Sequence, residues 1–206
     1  MLKLMIRAGL RLLLTWAALL TAISLLLRAQ TPVLALSESS YPGFSACVLP
    51  CWAGITPAQT PTGEVAARLA EAMPALQFEF RRVVTQINFV ASGPEEQFVG
   101  VIYDDRGVVG GLRFELGPPL WQMIEVLGAP ACVRSSAASD GQEVVIVSWE
   151  TEGHSLSATL LLPTPESWNP SAEVSLFAIF TRYGACRASG EHPWRGFAST
   201  WRYRSG

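Results

Sequence analysis

The pattern of hydrophobic and polar positions separates an apolar leader from a more polar remainder. An apolar run of 16 residues extends from Leu12 to Leu27, and it is preceded by the basic residues Lys3, Arg7 and Arg11. The small-residue stretch Val33-Leu34-Ala35 follows. A basic start, an apolar centre and a small-residue stop are typical of a secretory signal peptide. We therefore expect residues 1–35 to direct export.

A retained membrane anchor is the alternative interpretation of this leader. The apolar run is shorter than the ~20 residues that a bilayer-spanning helix prefers, and Arg28 ends it abruptly. In either case the basic flank stays in the cytoplasm and the remainder is exported. We expect an extracytoplasmic protein, either secreted or tethered to the outer face of the cell membrane through residues 12–27.

Downstream of the leader, the periodicity predicts two helices, each followed by three strands. Residues 36–59 are rich in Ser, Pro, Gly and Ala, which indicates a linker. Thr60-Pro61 is a helix start signal, and Gly128 is a helix stop signal. Apolar residues at helical spacing predict helices at 60–73 and 119–127. Runs rich in Val, Ile and Phe predict strands at 77–90, 97–103, 108–116, 143–151, 155–162 and 173–183.

This order predicts an α+β domain over residues 60–206. A duplicated α-β-β-β unit would cover about residues 60–116 and 117–183, followed by a C-terminal tail. Because an amphipathic helix must bury its apolar stripe, we expect both helices to pack on one face of a single antiparallel sheet.

Charge excludes one class of partner. Without residues 1–35 the chain keeps 11 Arg, no Lys and 17 acidic residues, a net charge of −6 with His neutral. Proteins that bind nucleic acid present a basic face to the phosphates. Nucleic acid is therefore not an expected partner.

Four cysteines follow the leader, and an even number in an exported chain permits two disulfides in three connectivities. The favoured pairing joins Cys47 to Cys51 across a tight loop, and Cys132 to Cys186 between distant elements. The alternative is a zinc site at Cys47-x3-Cys51 completed by the two histidines. Since no second closely spaced cysteine pair exists, we predict no metal.

Candidate catalytic groups are few. The chain has neither a G-x-S-x-G elbow nor an H-E-x-x-H helix. Asp104 and Asp105 could form a carboxylate pair with Asp140 or Glu150. However, Asp-Asp-Arg-Gly between two apolar runs is better explained as a hairpin turn. We predict no catalytic residues and no cofactor.

Tryptophan and arginine supply the candidate interaction residues. Trp121 and Trp149 lie within regular elements and are expected in the core. Aromatic residues beside arginine are typical of protein-interface hot spots. The candidates are Trp52, Trp168, Trp194, Arg195, Trp201 and Arg202. In the alternative interpretation, the tail adds an edge strand whose rings cover the core while the arginines face water.

The second predicted helix resembles a family signature. The residues of the pattern G-x(5)-M-x(3)-L-G-x-P are Gly117, Met123, Leu127, Gly128 and Pro130. This pattern is similar to the G-x-T-x(3)-V-x(3)-L-G-x-P signature of SmpA/BamE-like outer-membrane lipoproteins. That α+β fold is related to the tandem repeats of β-lactamase inhibitor protein. Here Pro119 replaces the family's Thr, and Met123 its Val.

A second motif lies just before the first predicted helix. The stretch from Pro50 to Pro57, Pro-Cys-Trp-Ala-Gly-Ile-Thr-Pro, resembles the P-C-W-x-G-I-T-P-G motif of small exported bacterial proteins, with Ala58 in place of the last Gly. The two resemblances span roughly residues 47–130. They imply a protein-binding or envelope module rather than a catalyst.

The sequence thus predicts an exported, non-enzymatic protein-interaction or envelope-associated module with a protein partner. The alternative is an extracytoplasmic hydrolase or carbohydrate-binding protein that uses carboxylates and exposed tryptophans.

Overall fold

A computed structural model divides the chain into two compact units, Met1–Ala35 and Leu36–Gly206. The structure describes residues 16, 21, 41, 43–44, 46–94, 97–137, 141–151, 153–164, 168–181, 186, 190–197 and 200–203, without the side chains of 200 and 201. Within these residues, no helix has both the length and the apolar character needed to cross a bilayer.

The second unit is built around one nine-stranded sheet, within which all neighbouring strands run antiparallel. The strand order is β1-β2-β3-β4-β8-β7-β6-β5-β9. The strands are β1 (Gln77–Val83), β2 (Gln86–Ser92), β3 (Gln97–Asp105), β4 (Val108–Glu115), β5 (Cys132–Ala137), β6 (Glu143–Thr151), β7 (His154–Leu162), β8 (Leu176–Thr181) and β9 (His192–Pro193). The two helices are α1 (Val65–Ala72) and α2 (Leu120–Leu127).

The predicted α+β class is wrong, because the sheet dominates and each helix has only eight residues. Helix α1 is followed by four strands and α2 by five, rather than by three each. The apolar run predicted as one strand at 77–90 turns back at Val84 and Thr85. Val84 has a φ of 46° there, a conformation that a β-branched residue rarely adopts, so local propensity did not indicate a turn.

Strand β5 also lies outside the six predicted strands. Its sequence, Cys-Val-Arg-Ser-Ser-Ala, lacks a run of β-branched and aromatic residues. It becomes a strand because β6 and β9 pair with it on its two sides. The two four-stranded meanders then meet at the centre of the sheet, where β4 pairs with β8.

Successive residues of a strand point to opposite faces of the sheet. The buried residues of the strands alternate in this way, and the hydrophobic core lies on one face of the sheet. Buried residues of both helices belong to the same core, including Val65, Leu69, Leu120 and Met123. The predicted apolar stripe of α1 is therefore confirmed. The segment before α1, interpreted as a linker from its composition, also contributes to this core through Trp52, Ala53 and Ile55.

Candidate interaction surface

The other face of the sheet, called here the second face, carries both apolar and charged side chains. On β3 it presents Val99, Val101 and Tyr103, which alternate with the core-facing residues. Val99 is 40% exposed. In an antiparallel sheet, a face that only meets water is usually polar. Three apolar residues in a row on this face therefore indicate more than a solvated surface.

An aromatic pair lies at the centre of the second face. Gly111 of β4 stands between Tyr103 of β3 and Phe180 of β8 in the registers of the two strand pairs. The two rings approach across it, with centroids 5.3 Å apart. A Cβ atom added to Gly111 would overlap the Phe180 ring. Glycine is thus required for the two rings to meet over the central strand.

A basic residue lies next to this pair. Arg113 is two positions beyond Gly111 on β4, on the same face, opposite Val101 and Ala178. It is exposed, and none of the ion pairs found among the described residues involves it. The centre of the second face therefore combines a tyrosine, a phenylalanine and an arginine, the residue types enriched at protein interfaces.

The far side of the second face is closed by a disulfide. Cys132 of β5 points to this face, in register with Ser148 of β6, and both side chains are buried. Cys186 is bonded to Cys132, with Cα atoms 5.5 Å apart. Exposure is greater on the β1–β4 side, where Glu79, Arg81 and Val99 all face solvent.

Both predicted disulfides are confirmed. Cys47 is bonded to Cys51, with Cα atoms 5.7 Å apart, and Cys132 to Cys186. The zinc alternative at Cys47 and Cys51 is wrong, because both thiols are consumed by their bond. No group of three or more metal-binding side chains occurs among the described residues.

Trp52 lies far from any surface. Its indole is completely buried and stacks on Phe114. The prediction that Trp52 is an interaction residue on the surface is therefore wrong. The expected core positions are divided: Trp149 is buried and donates its indole N–H to the carbonyl oxygen of Gly128 at 2.8 Å, whereas Trp121 is 43% exposed, which corrects its predicted burial.

The structure brings two of the candidate tryptophans together near the C-terminus. The ring centroids of Trp168 and Trp194 are 6.0 Å apart, and Phe197 contacts both at 5.2 and 5.3 Å. Trp168 is buried, and Trp194 packs against the core. The main role of this cluster is therefore to cover the core, and it offers little exposed aromatic surface to a partner.

The backbone around this cluster follows the edge-strand alternative. Strand β9 pairs with β5, and Trp194 then donates its N–H to the carbonyl oxygen of Ala131. Tyr203 is buried and accepts a hydrogen bond from the N–H of Arg195. Arg195 and Arg202 are exposed, as that alternative requires. The side chain of Trp201 lies outside the described residues.

Asp104 and Asp105, which the alternative interpretation placed in a carboxylate pair, make structural contacts. Asp104 accepts a hydrogen bond from the N–H of Gly107, which closes the β3–β4 turn, and forms an ion pair with Arg82 at 2.5 Å. The turn interpretation is confirmed. Its neighbour Asp105 is 4.0 Å from Arg106 in an exposed ion pair. Asp140 lies outside the described residues.

Another hydrogen bond ties the segment before α1 to α2. Tyr41 donates its phenolic O–H to the side-chain oxygen of Gln122 at 2.7 Å. Burial raises the pKa of Tyr41, and the negative charge of Glu173 raises it further. The phenol therefore keeps its proton over a wider pH range and remains a donor.

Sequence reasoning missed Tyr103, Phe180 and Arg113. A signal for them was present, since β3 is apolar at both odd and even positions from Phe98 to Tyr103. Such a strand has two apolar faces, and only one of them can lie on the core.

No protein-family model, curated protein or solved structure matches this chain.

Proposed function

We propose that this chain is an exported, disulfide-bonded and non-enzymatic module that binds a protein partner through the second face of its sheet. The observation that carries the proposal is the Tyr103–Phe180 pair over Gly111, with Arg113 beside it. The module is either secreted or tethered to the outer face of the cell membrane by its leader.

The disulfides support the exported location. Structural disulfides form and persist in oxidising compartments, and in the cytosol thiols are kept reduced. All four cysteines of the chain are in bonds. This agrees with the basic and apolar pattern of residues 1–35, which is typical of an export signal.

The chemistry of the second face supports a protein partner. Tyrosine and arginine are enriched among residues that dominate binding energy, because each combines a large contact area with hydrogen-bonding groups. Tyr103 and Phe180 are held by strands at the centre of a rigid sheet, so little side-chain entropy is lost when a partner covers them. Arg113 supplies a donor that an acidic or carbonyl-rich partner surface can satisfy.

Site-specific photo-crosslinking in the producing cell tests this proposal. A photoreactive residue at Val101, between Tyr103 and Arg113 on the second face, should yield a defined protein adduct. The same residue at Ala66, exposed on α1, is the matched control and should yield none. Arg113→Glu should abolish the Val101 adduct without reducing the amount of folded protein.

Equal adducts at Val101 and Ala66, or no adduct at Val101, would contradict the proposal. The exported location is tested separately by the mass of the native N-terminus and by cell fractionation. A chain recovered from the cytosol with Met1 retained and free thiols would contradict export.

A further inference from the structure

Strand β1 forms one edge of the sheet, and its outer side is open. Six of its seven residues are exposed, which is unusual for a strand of a sheet. Phe80 is 40% exposed although it points to the core face, where its ring lies 6.0 Å from that of Phe78. Beyond it, Val84 at the tip of the hairpin is 88% exposed. The core face thus ends on β1 with an aromatic surface that is only partly covered.

The backbone of β1 can accept another strand. The two-residue turn at Val84 and Thr85 makes Val83 and Gln86 a hydrogen-bonded pair. Because hydrogen-bonding residues alternate in an antiparallel ladder, the N–H and C=O groups of Phe78, Phe80 and Arg82 then point to the free edge. An exposed row of such groups is a template for strand addition.

The charges on β1 identify what fits this edge. On the second face, Glu79 and Arg81 flank the position of Phe80, one on each side. When two copies of β1 pair antiparallel about a twofold axis at Phe80, each Glu79 lies opposite Arg81 of the other copy. These are non-hydrogen-bonded pairs, in which side chains lie closest. The strand is therefore complementary in charge to itself.

Neighbouring registers lack this complementarity. A shift of the axis to Arg81 places two arginines opposite each other, and a shift to Glu79 places two glutamates opposite each other. Like charges in such positions are destabilising. The Phe80 register also covers both Phe80 rings, which join the two core faces on the same side of the combined sheet.

From this geometry we infer that two copies of this chain associate through β1, antiparallel and centred on Phe80, to form one continuous sheet of eighteen strands. The contact is isologous, so it closes as a dimer and does not propagate. It uses the sheet edge and leaves the Tyr103–Phe180 centre free, so it is independent of the proposed partner binding.

Reciprocal charge reversal tests the inference on the full chain in its oxidised form. Glu79→Arg places arginine opposite Arg81 at both symmetric pairs, and Arg81→Glu places glutamate opposite Glu79. Sedimentation equilibrium should show a wild-type dimer and an increase in its Kd of about tenfold or more for either variant. The combined variant Glu79→Arg/Arg81→Glu restores both pairs and should recover the wild-type Kd.

Two controls separate charge pairing from net charge and from misfolding. Arg113→Glu changes the net charge as Arg81→Glu does, but on a central strand, and should leave the dimer intact. In hydrogen exchange of the wild-type protein, the amides of Phe78, Phe80 and Arg82 should become more protected as concentration rises. This second measurement does not depend on any variant.

A wild-type protein that stays monomeric at high concentration would overturn the inference. A dimer whose Kd is unaffected by the single reversals, or not restored by the double one, would overturn it as well. Protection of the β1 amides that does not change with concentration gives the same negative answer. A failed Val101 crosslink with an intact charge-dependent dimer would count against the proposed function alone.

Discussion

Trp52 stacks on Phe114 with ring centroids 4.2 Å apart and an interplanar angle of 18°. The tryptophan comes from the irregular segment before α1, whereas the phenylalanine comes from central strand β4. The contact therefore attaches that segment to the middle of the core face. It also explains the role of Trp52 in the Pro-Cys-Trp motif, which is structural.

Truncation of Trp52 should be strongly destabilising. Trp52→Ala leaves a large cavity beneath Phe114 and Phe89, and we expect the free energy of unfolding to fall by about 3–5 kcal/mol. Trp121→Ala is the matched control, because that side chain is 43% exposed, and should cost about 1 kcal/mol or less. Denaturant titration followed by circular dichroism measures both. Similar losses for the two variants would contradict the assignment of Trp52 to the core.

Gly111 should not tolerate even a methyl group. In Gly111→Ala the new Cβ overlaps the Phe180 ring, and we expect a loss of about 1–3 kcal/mol in the free energy of unfolding. Gly63→Ala, where no atom lies within 4 Å of the added Cβ, should be neutral or slightly stabilising. In a double-mutant cycle, Phe180→Ala should relieve part of the cost of Gly111→Ala. Additive costs would show that the ring and the glycine do not interact.

The two disulfides should differ in their contribution to stability. Cys132 and Cys186 are separated by 54 positions, and Cys47 and Cys51 by 4. In the chain-entropy model, the longer loop stabilises by about 4 kcal/mol and the shorter by about 2 kcal/mol. We expect the Cys132→Ser/Cys186→Ser variant to unfold at lower denaturant concentration than the Cys47→Ser/Cys51→Ser variant. The reverse order would contradict this ranking.

Tyr41 should make stability fall at alkaline pH. Its pKa is raised in the folded state above the unfolded value of about 10, first by burial and then by the charge of Glu173. Above that pH the unfolded chain loses the proton while the folded chain keeps it, so stability decreases as pH rises towards the folded pKa. Tyr41→Phe should show a shallower decrease in unfolding free energy between about pH 9 and pH 11. Parallel curves would exclude this contribution.

Local signals were sufficient for several elements. The stop signal at Gly128 matches the end of α2, whereas α1 begins at Val65, after a 3-10 turn at Thr62–Glu64 and later than the start predicted at Thr60-Pro61. The Asp-Asp-Arg-Gly turn between β3 and β4 was recognised because Asp104 bonds the backbone of its own turn. The cysteine spacing favoured the pairing that the structure has, Cys47 with Cys51 and Cys132 with Cys186. These features depend on residues close together in sequence or on chemistry that has few alternatives.

The fold class and the candidate surface could not be predicted from local sequence patterns. Val84 adopts a turn conformation against its own preference because pairing of β1 with β2 imposes it. Likewise, Trp52 is buried only because the segment before α1 packs on β4, and the local sequence does not indicate this contact. Tyr103 and Phe180 are 77 positions apart and meet only because β4 and β8 pair.

The amino-acid sequence by itself determined the leader pattern, the number of disulfides that the chain can form, the approximate places of the two helices and most strand positions, since these follow from local periodicity and residue chemistry. Tertiary structure decided the β-rich class, the strand order, the burial or exposure of the described tryptophan side chains and the composition of the second face. The physical reason is that burial and strand pairing join residues far apart in the chain. No local pattern contains the free energy of those contacts.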